Sequence, residues 1–320
     1  MLSLFNETVT FLSTFVAPID VGMGDLFISL PVIQALIDAG EEVYLVTRSF
    51  RQNTLSNRII GIKGEIAEAD LDLGPHDRLI NLRAHRLQTD HNWASPDFEQ
   101  FFGMPRIEKI IEKIATDFGI VVDYQRLTRL EFKPISSMQN TILFVPASDG
   151  FYKHWPTANW LAIASALKSA GIKTAVLGEA NHSKALEELV AAGLEWIPTA
   201  TTDDAIDVIS NCLALVSVDT GLMHIGVQQG VQTIAFINPR NIHHRSATNC
   251  TIFEGNACST ECRPPNVLKP DHAATNKLNV ELKFNREYCK LPPAENCMAA
   301  ITPHMVLEKI RENLLQSKTE

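Results

Sequence analysis

Apolar and polar positions along the chain switch repeatedly between two periods. Residues 9–16 form a short β-rich run that ends at Pro18-Ile19-Asp20-Val21-Gly22-Met23-Gly24-Asp25. Apolar residues then recur at Leu26, Leu30, Ile33, Leu36 and Ile37, the spacing of one helix face, and Ala39-Gly40 closes the helix. Residues 42–47 (EVYLVT) form the next strand, completing the β–loop–α–β unit of a parallel sheet. The stretch from 55 to 105 is less regular and contains His85, His91, Trp93 and an aromatic cluster at 98–102; residues 106–118 predict a helix.

After a polar stretch at 133–140 (KPISSMQN), read as a linker, the alternation restarts. Strands are predicted at 141–146, 172–177, 213–218 and 231–237. Helices are predicted at 157–170, 183–192, 203–211 (Thr201-Thr202 as cap candidates) and 221–229. Residues 238–300, rich in Asn, Pro and Cys, break the pattern. A last helix starts at Thr302-Pro303, with Thr as cap and Pro in the first turn, and runs to about residue 315. Two consecutive β/α blocks predict an α/β protein of two doubly wound domains. The boundaries fall at 1–135, at 136–300 with a Cys-rich insertion at 238–300, and at 301–320 for the terminal helix. A length of 320 residues exceeds what one core usually supports.

Ligands of such sheets bind beyond the carboxyl ends of the strands, where loops enter helices. Three loops there carry polar chemistry. In the first, Gly22 and Gly24 let the backbone approach a ligand closely. Asp25 is either a helix cap or a carboxylate base that takes a proton from an acceptor hydroxyl. The third glycine of a dinucleotide fingerprint is missing, which disfavours a dehydrogenase. The second loop, 148–156, places Lys153 before Trp155-Pro156. Lys153 is either a solvated surface lysine or a cation set to neutralise a departing diphosphate, and Trp155 reads as core. The third loop ends a buried strand in Asp219-Thr220-Gly221, either a simple helix cap or an anion site built from free amides and the helix dipole. His224 follows in the first turns, as packing or as a ligand contact. An aspartic protease needs two carboxylates sharing a proton. A single Asp-Thr-Gly in a β/α chain excludes it.

Composition narrows the class. Hydrophobic residues at 45% and charged residues at 20% fit a globular enzyme, and a formal net charge of −9 without a basic run argues against nucleic acid as partner. No apolar run reaches the roughly 18 residues of a transmembrane span, and the first residues lack a secretory signal pattern. The expectation is therefore a cytoplasmic protein, with room for peripheral membrane contact.

Three segments, Gly22–Leu36 (GMGDLFISLPVIQAL), Lys153–Trp160 (KHWPTANW) and Val216–Ile225 (VSVDTGLMHI), together resemble the ADP-heptose:lipopolysaccharide heptosyltransferase family, in its order and at about its spacing. The resemblance spans about residues 10–240 and the final helix. It implies a GT-B fold, the acceptor mainly on the N-terminal domain and the nucleotide sugar on the C-terminal one. It implies Asp25 as general base and Lys153 as phosphate-binding lysine. Gly24, Asp219, Thr220, Gly221 and His224 would surround the donor, and Glu179 would reach the ribose. The implied reaction is inverting sugar transfer from a nucleotide sugar, ADP-heptose first, to a glycan, lipid-linked sugar or protein hydroxyl, with no catalytic metal required. The rivals are a GT-B sugar-nucleotide epimerase or hydrolase, and a GT-B module that binds without turnover.

The chain departs from that family at 238–300. Cys258, Cys262, Cys289 and Cys297 could form a structural four-thiolate zinc or iron site, remain as buried thiols, or pair as disulfides. Autotransporter heptosyltransferases are similar in carrying a cysteine-held metal finger.

Overall fold

The computed structural model describes residues 13–19, 22–48, 56–84, 107–124, 130–148, 153–178, 184–237, 247–255 and 296–316. Two parallel sheets organise them. The first contains β1 (Thr14–Ala17), β2 (Val43–Thr47), β3 (Gly64–Ala67) and β4 (Arg78–Asn81), in the order β3-β2-β1-β4. Helix α1 (Met23–Asp38) crosses from β1 to β2, and α2 (Ile107–Asp117) follows β4.

The second sheet contains β5 (Thr141–Val145), β6 (Lys173–Leu177), β7 (Glu195–Ile197), β8 (Ala214–Val218), β9 (Thr233–Ile237) and β10 (Cys250–Glu254). Its helices are α3 (Thr157–Ser169), α4 (Lys184–Ala191), α5 (Thr202–Ser210) and α6 (Gly221–Gln228), with α7 (Pro303–Gln316) at the end of the chain. The order β10-β9-β8-β5-β6-β7 is the 3-2-1-4-5-6 winding of dinucleotide-binding domains, counted from β5. Its topological switch point lies between β5 and β8. In the first sheet the same reversal lies between β1 and β4.

Most elements fall where the periodicity puts them. Thr201 caps α5, its hydroxyl accepting the Asp204 amide at 3.1 Å, and Gly40 follows α1 with φ of +84°. Three differences stand out. Residues 250–254 form a strand paired in register with β9, so the sheet extends into the stretch that the sequence pattern leaves irregular. As an edge strand it is only half-buried, and its apolar signal is correspondingly short. Strands β3, β4 and β7, three or four residues long, have too few apolar positions to show a period. The first strand is described from Thr14, and residues 9–12 of the predicted run lie outside the described residues.

Side chains of the second sheet alternate between two cores, as a doubly wound sheet requires. Ile142 and Phe144 of β5 face one core, where Trp155 and Trp160 meet edge to face at 5.1 Å and Trp155 lies 4.7 Å from Phe236. Val306 and Ile310 of α7 complete that core. Leu143 and Val145 face the other core, which runs without interruption through α1 into the first sheet. Helix α1 is accordingly buried from Leu26 to Ile33, including Pro31. A helix apolar on all sides belongs inside a protein, and here it lies between the first sheet and α6. Among the described residues no helix is long and apolar enough to cross a membrane.

The crossing between sheets is strapped down, although its sequence reads as a polar linker. Ile59 and Leu130 form an antiparallel bridge, and Gln229 brackets Leu130, accepting its N–H at 2.7 Å and donating to its carbonyl at 3.1 Å. Arg58 reaches from the first domain to α5, donating to both carboxylate oxygens of Asp207 at 2.8 and 3.2 Å and to Asp203 at 3.2 Å. The Lys133 amide also donates to Asp207, at 2.8 Å. Asn211 ties down the Lys133 carbonyl and the Ile135 amide.

Burial by itself would raise the Asp207 pKa, but the hydrogen bonds from Arg58 and Lys133 outweigh it and hold the carboxyl below its usual value. A carboxylate shifted this way stabilises the fold above the ordinary carboxylate range, and that contribution is lost as pH falls through its folded-state value. Arg58→Ala is expected to cost on the order of 2 kcal/mol in urea unfolding, because it strands a half-desolvated carboxylate. Arg58→Lys should not restore it, since an ammonium cannot span two carboxylates as a guanidinium does. Asp207→Asn should flatten the loss of stability as pH falls below the ordinary carboxylate value of about 4; an unchanged acid limb would remove Asp207 as its source.

Candidate functional site at the switch points

Each sheet turns toward the other the loop that leaves its switch point. Beyond β1 the chain enters α1 at Gly22. The Gly22 amide donates to Asp25 Oδ2 at 2.9 Å, so the aspartate caps the helix that carries it. Ser29 locks this turn: its hydroxyl donates to the Asp25 carbonyl at 2.6 Å and accepts the Ile19 amide at 3.2 Å. The Asp25 carboxylate is half-buried and fixed at the first turn of a rigid helix.

Beyond β5, Lys153 extends across the second switch point to β8, its Nζ 2.7 Å from Asp219 Oδ2. Asp219 is buried and Lys153 is one-fifth exposed, so the cation faces the open side of the pair. The neighbouring imidazole of His154 is buried, which lowers its pKa, although its hydrogen bond to the Ser148 carbonyl (3.0 Å) pulls the other way. It is neutral near pH 7, and Lys153 carries the positive charge of this turn. Trp155 is core, as its sequence context suggests.

Beyond β8, Thr220 occupies the cap position of α6 in extended backbone, with no side-chain cap bond. The first-turn amides of residues 221 and 222 precede the first i to i−4 bond, and the positive end of the helix lies there. An anion at this point meets backbone N–H groups and the Lys153 ammonium. The buried Asp219 carboxylate holds Lys153 beside this helix start.

The first and third loops touch. A β-carbon placed on Gly24 would lie 2.9 Å from His224 Cδ2 and 3.3 Å from its Nε2, and 3.9 Å from the Gly221 Cα. One placed on Gly221 would meet the Met23 methyl at 2.6 Å. His224 is therefore buried between two helix starts, and glycine at 24 permits their approach. The three predicted loops thus form one chain of contacts, from α1 through α6 to Lys153. Glu179 lies outside the described residues, beside Gly178, whose carbonyl accepts the Trp196 indole N–H at 3.0 Å.

Of the four cysteines expected to hold metal, Cys258, Cys262 and Cys289 lie outside the described residues, and Cys297 is buried. Among the described residues no group of three or more His, Cys, Asp or Glu could hold an ion. Desolvation pushes the half-buried Cys212 thiol up to about 12, away from the thiolate form.

Sequence reasoning missed Ser29, which looks like one more small helix residue, and Asn296, a cap residue in the segment that packs beneath Lys153. Asn before Cys297-Met298-Ala299-Ala300 was a readable cap signal.

This pair of facing parallel sheets, with loops from both switch points meeting, is the GT-B architecture. Over residues 107–251 the chain matches the model of glycosyltransferase family 9 (heptosyltransferase), and the three-motif resemblance agrees with it. Lipooligosaccharide heptosyltransferase 2 of Haemophilus influenzae is 27% identical over 180 residues, 53% of this chain and 46% of that protein. Lipopolysaccharide heptosyltransferase 1 of Salmonella typhimurium is 29% identical over 86 residues, 26% of this chain and 27% of that protein. The matches thus span less than half the length of these relatives. A glycosyltransferase family 9 structure from Veillonella parvula superposes with a TM-score of 0.67 at 15% identity, covering 96% of this chain and 99% of that one. The E. coli heptosyltransferase WaaC with ADP-2-deoxy-2-fluoro heptose gives 0.55 at 15%, covering 85% and 100%. The iron-containing dodecameric glycosyltransferase TibC of enterotoxigenic E. coli gives 0.63 at 12%, covering 96% and 76%.

The Gly24–His224 contact predicts a stability effect. Gly24→Ala should lower stability by about 1–2 kcal/mol, as overpacking against a buried ring does, and His224→Ser should relieve part of that loss. Gly221→Ala should cost less, because the tip of Met23 can move aside. Calorimetric melting of the three variants checks this; a harmless Gly24→Ala would refute the close approach.

Proposed function

We propose that the chain is an inverting glycosyltransferase that moves a sugar, heptose in this reading, from a nucleotide diphospho-sugar to a hydroxyl on a glycan, a lipopolysaccharide or a protein. The observation that carries the proposal is the Lys153–Asp219 pair at the switch point of the second sheet, beside the amide-bearing start of α6 and in contact with the helix that carries Asp25. Anion recognition and a fixed carboxylate then face each other from opposite domains. The bound nucleotide sugar of the WaaC structure and the names of the relatives support ADP-heptose as donor.

In this mechanism the acceptor oxygen attacks the anomeric carbon as the bond to the diphosphate oxygen breaks, and the acceptor proton passes to the Asp25 carboxylate. Lys153 and the amides at 221 and 222 stabilise the charge that grows on the departing diphosphate. Neither role needs a metal. Gly24 and His224 hold the two helix starts at the donor's edge, and Glu179 is assigned to the ribose hydroxyls. Residues 1–135 hold the acceptor and 136–300 the donor, in the cytoplasm.

We infer a structural metal on the cysteines, of which only Cys297 lies among the described residues. Gly255 and Cys297 lie against each other, a β-carbon on Gly255 falling 2.8 Å from the Cys297 carbonyl oxygen. Cys258 is three residues beyond Gly255, within about 10 Å of extended chain. A zinc or iron ion on Cys258, Cys262, Cys289 and Cys297 would staple that neck, and elemental analysis finding neither metal in the purified chain would end this assignment.

ADP should raise the melting temperature of the parent chain, by an increment that grows with the logarithm of its concentration. Lys153→Ala should weaken ADP binding about tenfold or more. Asp25→Asn should keep ADP binding within about twofold yet lower kcat by a factor on the order of 10²–10⁴. Near-normal transfer by Asp25→Asn would overturn the base assignment, and nucleotide release at full rate without acceptor would place the chain among hydrolases.

A further inference from the structure

Lys153 stands on a tripeptide clamped from beneath by a segment about 140 residues later in the chain. The Trp155 indole N–H donates to the Ile301 carbonyl at 2.8 Å, and the Asn296 side-chain amide donates to the His154 carbonyl at 3.1 Å. Asn296 is itself only 5% exposed. Its carboxamide oxygen accepts the amides of Met298 (2.9 Å) and Ala299 (3.2 Å), capping the turn Cys297–Ala300.

Capping requires only an acceptor, and Ser or Asp supplies one as well as Asn does. The donor end of Asn296 is surplus to the cap, and it is spent on the residue next to Lys153. Lysine side chains are long and mobile, so the place where the ammonium acts is set by where the backbone beneath it is held. Leaving the His154 carbonyl without its buried donor would let the turn shift, and a displacement of about 1 Å at a positioned charge is felt strongly.

We propose that Asn296 is a positioning residue for Lys153, fixing the height of the Lys153–His154 turn over the β5–β8 crevice and thereby the affinity for a nucleoside diphosphate. The inference rests on the donor-site reading above. It ties the carboxyl-terminal end of the cysteine-rich stretch to donor binding by a route that needs no metal.

Asn296→Ser is the separating variant, because it keeps a cap acceptor but cannot span to the His154 carbonyl. Measured by titration calorimetry with ADP and by steady-state kinetics on the full chain, it should raise the ADP Kd and donor KM about fivefold, because the ammonium is no longer held where the diphosphate meets it. Its kcat should fall as well, since Lys153 also meets the charge growing on the diphosphate, and its melting temperature should drop by a few degrees, as the loss of one buried hydrogen bond does. In a Lys153→Ala background the same substitution should change ADP affinity no further, since the tie acts through the lysine. Trp155→Phe deletes the neighbouring bond to Ile301 without touching the cap, and should show the same dependence on Lys153.

An unchanged ADP Kd in folded Asn296→Ser would overturn the proposal, as would an equal loss with and without Lys153. A parent chain that does not bind ADP would overturn the donor-site reading itself, so the two failures are distinguishable. If Asn296→Ser does not fold, Trp155→Phe decides by the same criteria.

Discussion

How closely two helices can begin beside one another governs the rest of this molecule. Each sheet delivers one helix from its switch point, and the two starts meet at Gly24 and His224 with no room for a methyl group between them. That contact lets a single apolar core run from the first sheet through α1 into the second. It also makes a common site possible, because a carboxylate on one helix and an anion-binding turn on the other come within reach only when their backbones almost touch. Glycine at 24 is required by space, since the helix backbone there has ordinary angles.

The charges around this contact are arranged in series. A buried aspartate neutralises a lysine that points outward, and a neighbouring histidine kept neutral by burial adds no second cation. The turn can therefore exist without a bound anion at little electrostatic cost, because Lys153 already has a partner. On the proposed reading, an incoming diphosphate would find the cation pre-aimed, with less side-chain entropy left to lose.

Much of this was legible in the chain because its signals are local. Alternating β and α periods give two parallel sheets, and Thr201, Gly40 and Thr302-Pro303 mark ends of elements through chemistry confined to one or two turns. The three ligand loops were legible for the same reason, since each places polar residues directly after an apolar strand. Strand β10 was not, because a five-residue edge strand that is only half-buried carries a short apolar signal. The role of Asn296 was hidden for a different reason. Its partner, the His154 carbonyl, is a backbone atom 142 positions away, and no side-chain pattern announces a backbone acceptor. Arg58 and Asp207 were equally silent, since surface-type residues become an interdomain clamp only once the fold has placed them.

The strap that holds the interdomain crossing grips the far end of the helix whose near end faces the site. Gln229 follows the last turn of α6, while Gly221 begins its first. Eight residues of helix span about 12 Å. Both ends of α6 are thus tied to the first sheet's side of the molecule, Gly221 through Met23 and Gln229 through Leu130, so the helix start is positioned by residues a whole helix length apart.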